Sequence, residues 1–526
     1  MKRIYIYIMC SLLCSAMWAQ DGFGTFLRDA IQKQEKGILV TAKLIEACGL
    51  LDQLDVTIDN AYEELYQSGA IQTPIRYSEG SSYYTFYAPE HRYIGYTLFA
   101  ETDEFWEEAL GKNYKAITVA DVAAYIKQHC QFPKSYSNST NYSSPENMLY
   151  QFVTYHLLNR QLTPNHLVEH INEKGYSYSS YYNTRQLGVA VCDYYTTMGD
   201  RRLLRAFESA ESEGICLNRF PRLDNARHGT YHELSCDPDK AGIRVGTENA
   251  IDTLNAVIYP ISGLLAFDQA TARNMGSLRL RMDVASFFPE MATNDIRLSP
   301  VTDERHMNVY IPCDIYPYLE DLTVNNNNTK FCYWTGYNRG WANMQGDEFT
   351  CRGLQDITLR LPPVPQDGTY ELRMATQSGG TYRGTFQIYF GTDQSNLPEL
   401  GWPIDFRQSA NQLNTKSGTF ANYIGYEEDT DDDMYDQLRD YELHEQGFMK
   451  GCNQYMGGGS SASSTMRRSN VCLRRVIGKV QLQADKTYYL RLKNVLNDAD
   501  QYLYMDYIEL CPKAIYDNPD EPEDIW

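Results

Sequence analysis

The apolar positions of this chain change their period partway along it. Near the start, Leu27 and Ile31, then Ile38, Ala42 and Ile45, recur at the spacing of one helix face. Gly49 after Cys48 is a natural stop for that helix, and "LLDQL" at 50–54 continues into a further short turn. Residues 55–83 are polar and irregular, with "SEGSS" as a loop. Two apolar bursts follow, "YYTFYA" at 83–88 and "YTLFA" at 96–100. The second reads as a buried strand running into a helix. Thr102 is placed to cap that helix, Asp103 and Glu104 fall in its positive first turn, and Gly111 can end it.

Residues 133–147, "PKSYSNSTNYSSPEN", are low-complexity and polar, as expected of an exposed insertion. "NMLYQFVTYHLL" at 147–158 reads as a helix or a helix passing into a strand. "GYSYSSYYN" at 175–183 is a loop or edge hairpin, and "NAVIYPISGLLAFD" at 255–268 a strand pair turning near Pro260 or Gly263. From about residue 300 the period becomes two, in short runs such as "TYELRMA" and "TFQIYFG" separated by Gly, Pro and Asp. That pattern predicts a β-sandwich. "MGGGSSASSTMRR" at 456–468 reads as a flexible loop, and the acidic tail, 514–526, as disordered.

Composition narrows the function. A chain of 526 residues has material for two to four domains. Its net charge of -21 argues against nucleic acid and anionic membrane as partners. Tyrosine is abundant, at 43 residues, which suits half-wet strand faces and sugar- or protein-binding surfaces. Lys2 and Arg3 precede the apolar run "IYIYIMCSLLCSAMW" and then Ala19, the layout of a secretory signal peptide over 1–19 with cleavage after Ala19. That run is too short to be a good membrane span. Met9 before Cys10 and Leu13 before Cys14 disfavour a lipid-anchored variant, since a small residue is needed there. The mature chain is therefore expected to be exported, without a transmembrane segment. It keeps eleven of the 13 cysteines, none in a C-x-x-C pair, so no zinc ribbon or thioredoxin-type site is indicated. Their pairing cannot be read from their spacing.

Candidate chemistry is sparse. No G-x-S-x-G elbow, Walker loop or G-x-G-x-x-G is present. His232-Glu233 and His444-Glu445 begin like zinc-protease motifs, but Cys236 and Phe448 stand where a second His is required. Asp429, Asp431, Asp433 and Asp440 fall at positions 1, 3, 5 and 12 of a calcium loop. Met434 occupies the position that needs Gly, which favours a solvated acidic loop or helix start over a metal site. No cofactor is expected. Trp334, Trp341 and Trp402 lie in the β-rich half, where they either stack on sugar rings or fill the core. No carboxylate pair is marked out for glycosidase chemistry.

"YTLFAETDEFW" at 96–106 resembles the first signature of the fasciclin domain family, T-x-F-A-P-T-D-x-A-F. Thr97, Phe99, Ala100, Thr102, Asp103 and Phe105 match, with one residue fewer before that last Phe and with Glu101 in place of the usual Pro. "FVTYHLLNRQLTPNHL" at 152–167 resembles the second signature, with Tyr155-His156 as its Tyr-His pair. In "NAVIYPISGLLAFD", Asn255, Ile258, Ile261 and Leu265 match the family's closing strands, while Ser262 stands where Asp is usual. "ILVTAKLIEACGLLDQL" is similar to the opening helix.

The resemblance implies an α+β fasciclin domain over 22–268, a mixed sheet with packed helices and loop insertions. A linker would follow at 269–299. Residues 300–513 are similar to galactose-binding-like, jelly-roll sandwich modules, through "GTYELRMATQSGGTYRGTFQIYFG" and "TYYLRLKNVLNDADQYLYMDYIELCP". Together these imply a non-enzymatic adhesion or binding protein of the bacterial cell surface or periplasm, contacting a glycan or a surface protein. Tyr155 and His156 are the residues linked to adhesion in the family; the alternative is that they are buried and hydrogen-bonded. A polysaccharide-acting enzyme and an accessory subunit of a cell-surface glycan-handling complex are the competing expectations.

Overall fold

Tyr96–Glu101 forms strand β1, buried along its whole length. With it, strand β2 (Leu157–Leu158), β3 (Val191–Thr196), β4 (Leu203–Glu208), β5 (Cys216–Leu217), β6 (Ile243–Arg244), β7 (Ile251–Asp252) and β8 (Ala256–Ile261) build the two larger sheets of the first half, beside the short pairs Ile75–Arg76 with Thr85–Phe86 and Arg222–Leu223 with Glu233–Ser235. One sheet has the order β7-β8-β1-β2 and a second the order β6-β5-β4-β3. In this computed structural model the described residues are 21–71, 75–76, 85–168, 191–209, 211–212, 214–223, 233–297, 308–335, 344, 347–377, 383–408, 426–453, 465–470, 472–496 and 498–525. The signal segment, the stretch at 175–183, Trp341 and most of 456–468 lie outside them.

β1 runs parallel to β8, Tyr96 opposite Ala256 and Glu101 opposite Ile261, and antiparallel to β2. Both of its faces are covered, which is why it reads as a continuous apolar run rather than an alternating one. Tyr96, Leu98 and Ala100 pack with Ala256 and Ile258 into the helical layer. Phe99 packs with Val257, Tyr259 and Ile261 against Leu204, Ala206 and Leu217 of the second sheet.

The helical layer comprises α1 (Phe23–Lys33), α2 (Leu39–Ala47), α3 (Asn60–Gln67), α4 (Asp103–Leu110), α5 (Val119–His129) and α6 (Met148–Tyr155). The periodicity over 27–45 spans two helices, because Gln34 takes a left-handed conformation, φ 50°, and ends α1. α2 stops before Gly49, whose φ of +73° suits only glycine well. α3 lies inside the stretch expected to be irregular. Asp59 caps it, accepting from Ala61 and Tyr62 N–H. Thr102 caps α4 through Phe105 N–H, and Gly111 ends it at φ 63°, as the sequence predicts.

Asp103 does more than sit in its own helix's first turn. Its fully buried carboxylate accepts from Gly37, Leu39 and Val40 N–H, at 2.7, 3.1 and 2.9 Å, and so caps α2 from outside. The residue before α2, Ile38, offers no side-chain cap of its own. Asn255 makes a comparable link. It accepts from Phe23 N–H and donates to the carbonyls of Leu54 and Val56, tying α1 to the start of β8.

The second half is antiparallel. It contains β9 (Leu280–Asp283), β10 (Asn308–Ile311), β11 (Leu322–Val324), β12 (Thr329–Thr335), β13 (Asp347–Gly353), β14 (Asp356–Arg360), β15 (Gly368–Gln377), β16 (Thr385–Gly391), β17 (Ile404–Asp405), β18 (Phe448–Lys450), β19 (Cys472–Leu482), β20 (Tyr489–Asn494), β21 (Tyr502–Met505) and β22 (Tyr507–Pro512). These form sheets of order β9-β22-β15-β19-β18, β10-β12-β13-β21 and β11-β14-β20-β16-β17. Their inner faces share one apolar cluster that includes Phe331, Phe349, Leu372, Leu490 and Ile508.

Two boundaries differ from the sequence reading. Residues 269–297 are not a linker: they carry α7 (Gln269–Gly276), β9 and α8 (Pro289–Thr293), and β9 pairs with β22. The same apolar cluster reaches Tyr62, Tyr194 and Leu203, so the two halves share a core. The tail is also ordered, packed against the second half. Glu523 accepts from Arg373 and Arg279, Asp524 from Arg279, and Ile525 is buried. The acidic composition that suggests disorder is here the counter-charge for two buried arginines. The eleven cysteines beyond residue 20 stand as thiols, most of them buried.

Candidate functional site

The Tyr-His pair closes α6 and is sealed inside the first half, each residue 2% exposed. Tyr155 donates its hydroxyl to the Leu203 carbonyl and accepts from Asn218 Nδ2. His156 Nδ1 lies 2.8 Å from the Phe152 carbonyl and Nε2 lies 2.7 Å from Glu101 Oε1. Glu101 also accepts from Leu265 N–H. The pair thus ties β1, α6 and the segment after β8 together, and neither side chain has a face for a partner.

The tryptophans separate. Trp334 on β12 is 6% exposed and meets Tyr504 edge-on, while Trp402, in the turn before β17, is 89% exposed. The calcium-type aspartates do not converge on a common point. Asp429 binds Arg467 and Lys450, and Asp440 binds Arg467, so cations of the protein occupy the place between them. Burial pushes the Asp429 carboxyl up, but Arg467 and Lys450 outweigh it and hold it down at about 2. Asp431 and Asp433 are exposed, and Asp433 opens α9 (Asp433–Glu445), which Asp432 caps. Among the described residues no group of acidic, histidine and cysteine side chains is arranged to hold a metal ion.

A cleft of about 550 Å³, which no sequence motif marks, opens at the junction of the two halves. Its lining includes Arg92, Tyr93, Tyr150 and Arg160 from the first half together with Glu290, Glu320, Asp321 and Arg360. This volume falls in the range of small-molecule sites, about 300–1,000 Å³.

Arg92 organises the floor. It donates to Asp59, to the Tyr318 carbonyl and to Glu290 Oε1, at 2.7, 2.8 and 2.8 Å. Tyr316 also donates to Asp59, and Glu320 N–H to Glu290 Oε1. One guanidinium therefore joins the cap of α3, the loop before β11 and helix α8. Asp321 is held by Arg201 through both oxygens and by Arg360. Glu290 Oε2 is buried with no hydrogen-bond partner. Burial pushes the Glu290 carboxyl up to about 7, against the pull of Arg92. A carboxyl that titrates near neutrality, in a cleft, is a group able to hold or give a proton.

None of these residues stands in a recognisable motif. Arg92 and Glu290 are 198 positions apart, and only folding makes them neighbours. The one available signal was the acidic and aromatic run Tyr316–Asp321, dense in groups that need partners when buried. No family model matches this chain, and no curated protein matches it in sequence.

Proposed function

We propose that this is an exported, non-enzymatic adhesion or binding protein that contacts a glycan or a surface protein. The observation that carries the reading is the cleft at the junction of the halves, with Tyr93 and Tyr150 beside four arginines and four acidic side chains. Flat rings for sugar faces and fixed polar groups for hydroxyls are what recognition of a hydroxyl-rich ligand requires. Trp402 offers a second, separate platform on the sandwich. The fasciclin-like and galactose-binding-like resemblances support the same reading. In it, the Tyr-His pair serves as internal scaffold rather than contact.

The test is a glycan panel with the whole mature chain, since the shared core argues against cutting the halves apart. Binding that falls on substitution of Tyr93 or Trp402 supports the proposal. Failure to bind any glycan, with a protein partner recovered instead that tolerates both substitutions, overturns the glycan version.

One observation favours a second reading, a polysaccharide-cleaving enzyme. Glu290 has the raised titration of a general acid, and Glu320 and Asp321 share its cleft. Release of reducing ends from a polysaccharide, abolished by Glu290→Gln, would establish it.

A further inference from the structure

Two buried polar groups of opposite kind are left incomplete on the wall of the same cleft. The first is Arg160. The Thr97 hydroxyl holds its backbone carbonyl at 2.6 Å, fixing it just after β2. Its guanidinium donates to the carbonyls of Ser286 and Phe287 and lies 5.2 Å over the Tyr195 ring. The side chain is 2% exposed, Nε has no partner, and no described carboxylate pairs with it. Burial lowers its affinity for the proton. Buried cations are ordinarily paired with an anion, and this one is held only by neutral groups.

The second is Glu290, 5% exposed, with Oε1 taken by Arg92 and Glu320 N–H and Oε2 left without a partner. Arg160 and Glu290 feel one another electrostatically, yet no hydrogen bond joins them. A ligand bearing an anion and a hydrogen-bond acceptor side by side would complete both.

We propose that this cleft takes an acidic sugar, its carboxylate seated against Arg160 and an adjacent ring oxygen or hydroxyl against the Glu290 carboxyl. The proposal rests on the reading of the chain as a glycan-binding protein. Tyr93, 46% exposed at the rim, supplies the apolar face for the ring. Arg201 and Arg360 are committed to Asp321, so Arg160 is the cation available to the ligand.

The seat is pH-dependent by construction. Glu290 is faced by Arg92 from the segment before β1, by Glu320, Tyr318 and Cys313 from the loop before β11, and by Arg160 after β2. Asp59 is reached across Arg92. With Glu290 protonated, its carboxyl donates to the ligand and Arg160 has no internal rival for the ligand's carboxylate. Ionised, Glu290 loses that donor and repels the anion.

The test is calorimetric titration of the mature chain with an oligogalacturonide, a neutral galacto-oligosaccharide of equal length and inorganic phosphate, at about pH 6 and about pH 8. The acidic oligosaccharide is expected to bind at least ~10-fold more tightly than the neutral one, and to weaken several-fold at the higher pH. Glu290→Gln should abolish the pH dependence while keeping the preference, and Arg160→Gln should abolish the preference. If Arg160→Gln fails to fold, Glu290→Gln still decides. Equal affinity for both sugars, pH-independent binding, or phosphate binding as tight as the oligosaccharide overturns the proposal. Binding of the neutral sugar alone overturns it and leaves the glycan-binding reading standing, whereas binding of no glycan removes both.

Discussion

Glu101 and His156 meet at 2.7 Å with both side chains almost completely withdrawn from water. His156 Nδ1 faces a carbonyl, which can only accept, so a proton must lie between Nε2 and the carboxylate. Removing one partner strands the other in an apolar interior. Glu101→Ala is expected to cost about 3–5 kcal/mol of stability, read as a shift of the urea midpoint. A loss under about 1 kcal/mol would show that water replaces the carboxylate and that the pair is not structural.

The part of this corner that local chemistry dictates was legible in the sequence. Thr102 and Gly111 bound α4 as expected, because capping and left-handed turns depend on residues within a few positions. The long-range half was not. Nothing near Asp103 indicates that it caps a helix beginning at Leu39, and nothing near Arg92 indicates Glu290. The same blindness misread the tail. Its charges look like those of a solvated segment until Arg279 and Arg373 are known to be buried beneath it. The cleft was invisible for the same reason, since it is made of partners that only the packing of the two halves brings together.

The two described tryptophans of the sandwich should part in experiment. Trp402→Ala removes a side chain that is 89% exposed, so stability should change by no more than about 0.5 kcal/mol while glycan affinity falls. Trp334→Ala empties a packed site beside Tyr504 and should cost about 3–5 kcal/mol. Paired denaturation and binding curves check this. A Trp402→Ala chain with unchanged glycan affinity would remove that residue from the binding surface.

The tail carries an acid-sensitive lock. Burial pushes the Glu523 carboxyl up, but Arg279 and Arg373 overcome this and hold it at about 2, below its ordinary 4.5. A lowered carboxyl pKa stabilises the fold fully above pH 4.5 and loses that contribution as pH falls toward about 2. The difference corresponds to about 3 kcal/mol, an order-of-magnitude figure. Glu523→Gln should therefore lower stability at neutral pH and reduce its acid sensitivity below pH 4.5. Denaturation midpoints across that range test it, and a variant as stable as the parent at neutral pH would show that the tail is not held by this carboxylate.

Glu290 should produce the opposite slope. Its carboxyl is raised by burial from 4.5 to about 7 despite Arg92, so the folded chain holds a proton there that the unfolded chain has released. Stability from this residue is therefore greatest below pH 4.5 and declines as pH rises to about 7, beyond which it levels off. The decline amounts to about 3 kcal/mol at most, since water entering the cleft softens the penalty on the charged form. Glu290→Gln keeps the shape, keeps an acceptor for Arg92 and never ionises. The variant should match the parent at acid pH and exceed it in stability above pH 7. Urea midpoints of both chains at several pH values decide the matter. Parallel curves would mean that Glu290 titrates as an ordinary carboxylate. The incomplete oxygen on the cleft wall would then be neutralised by something other than a proton.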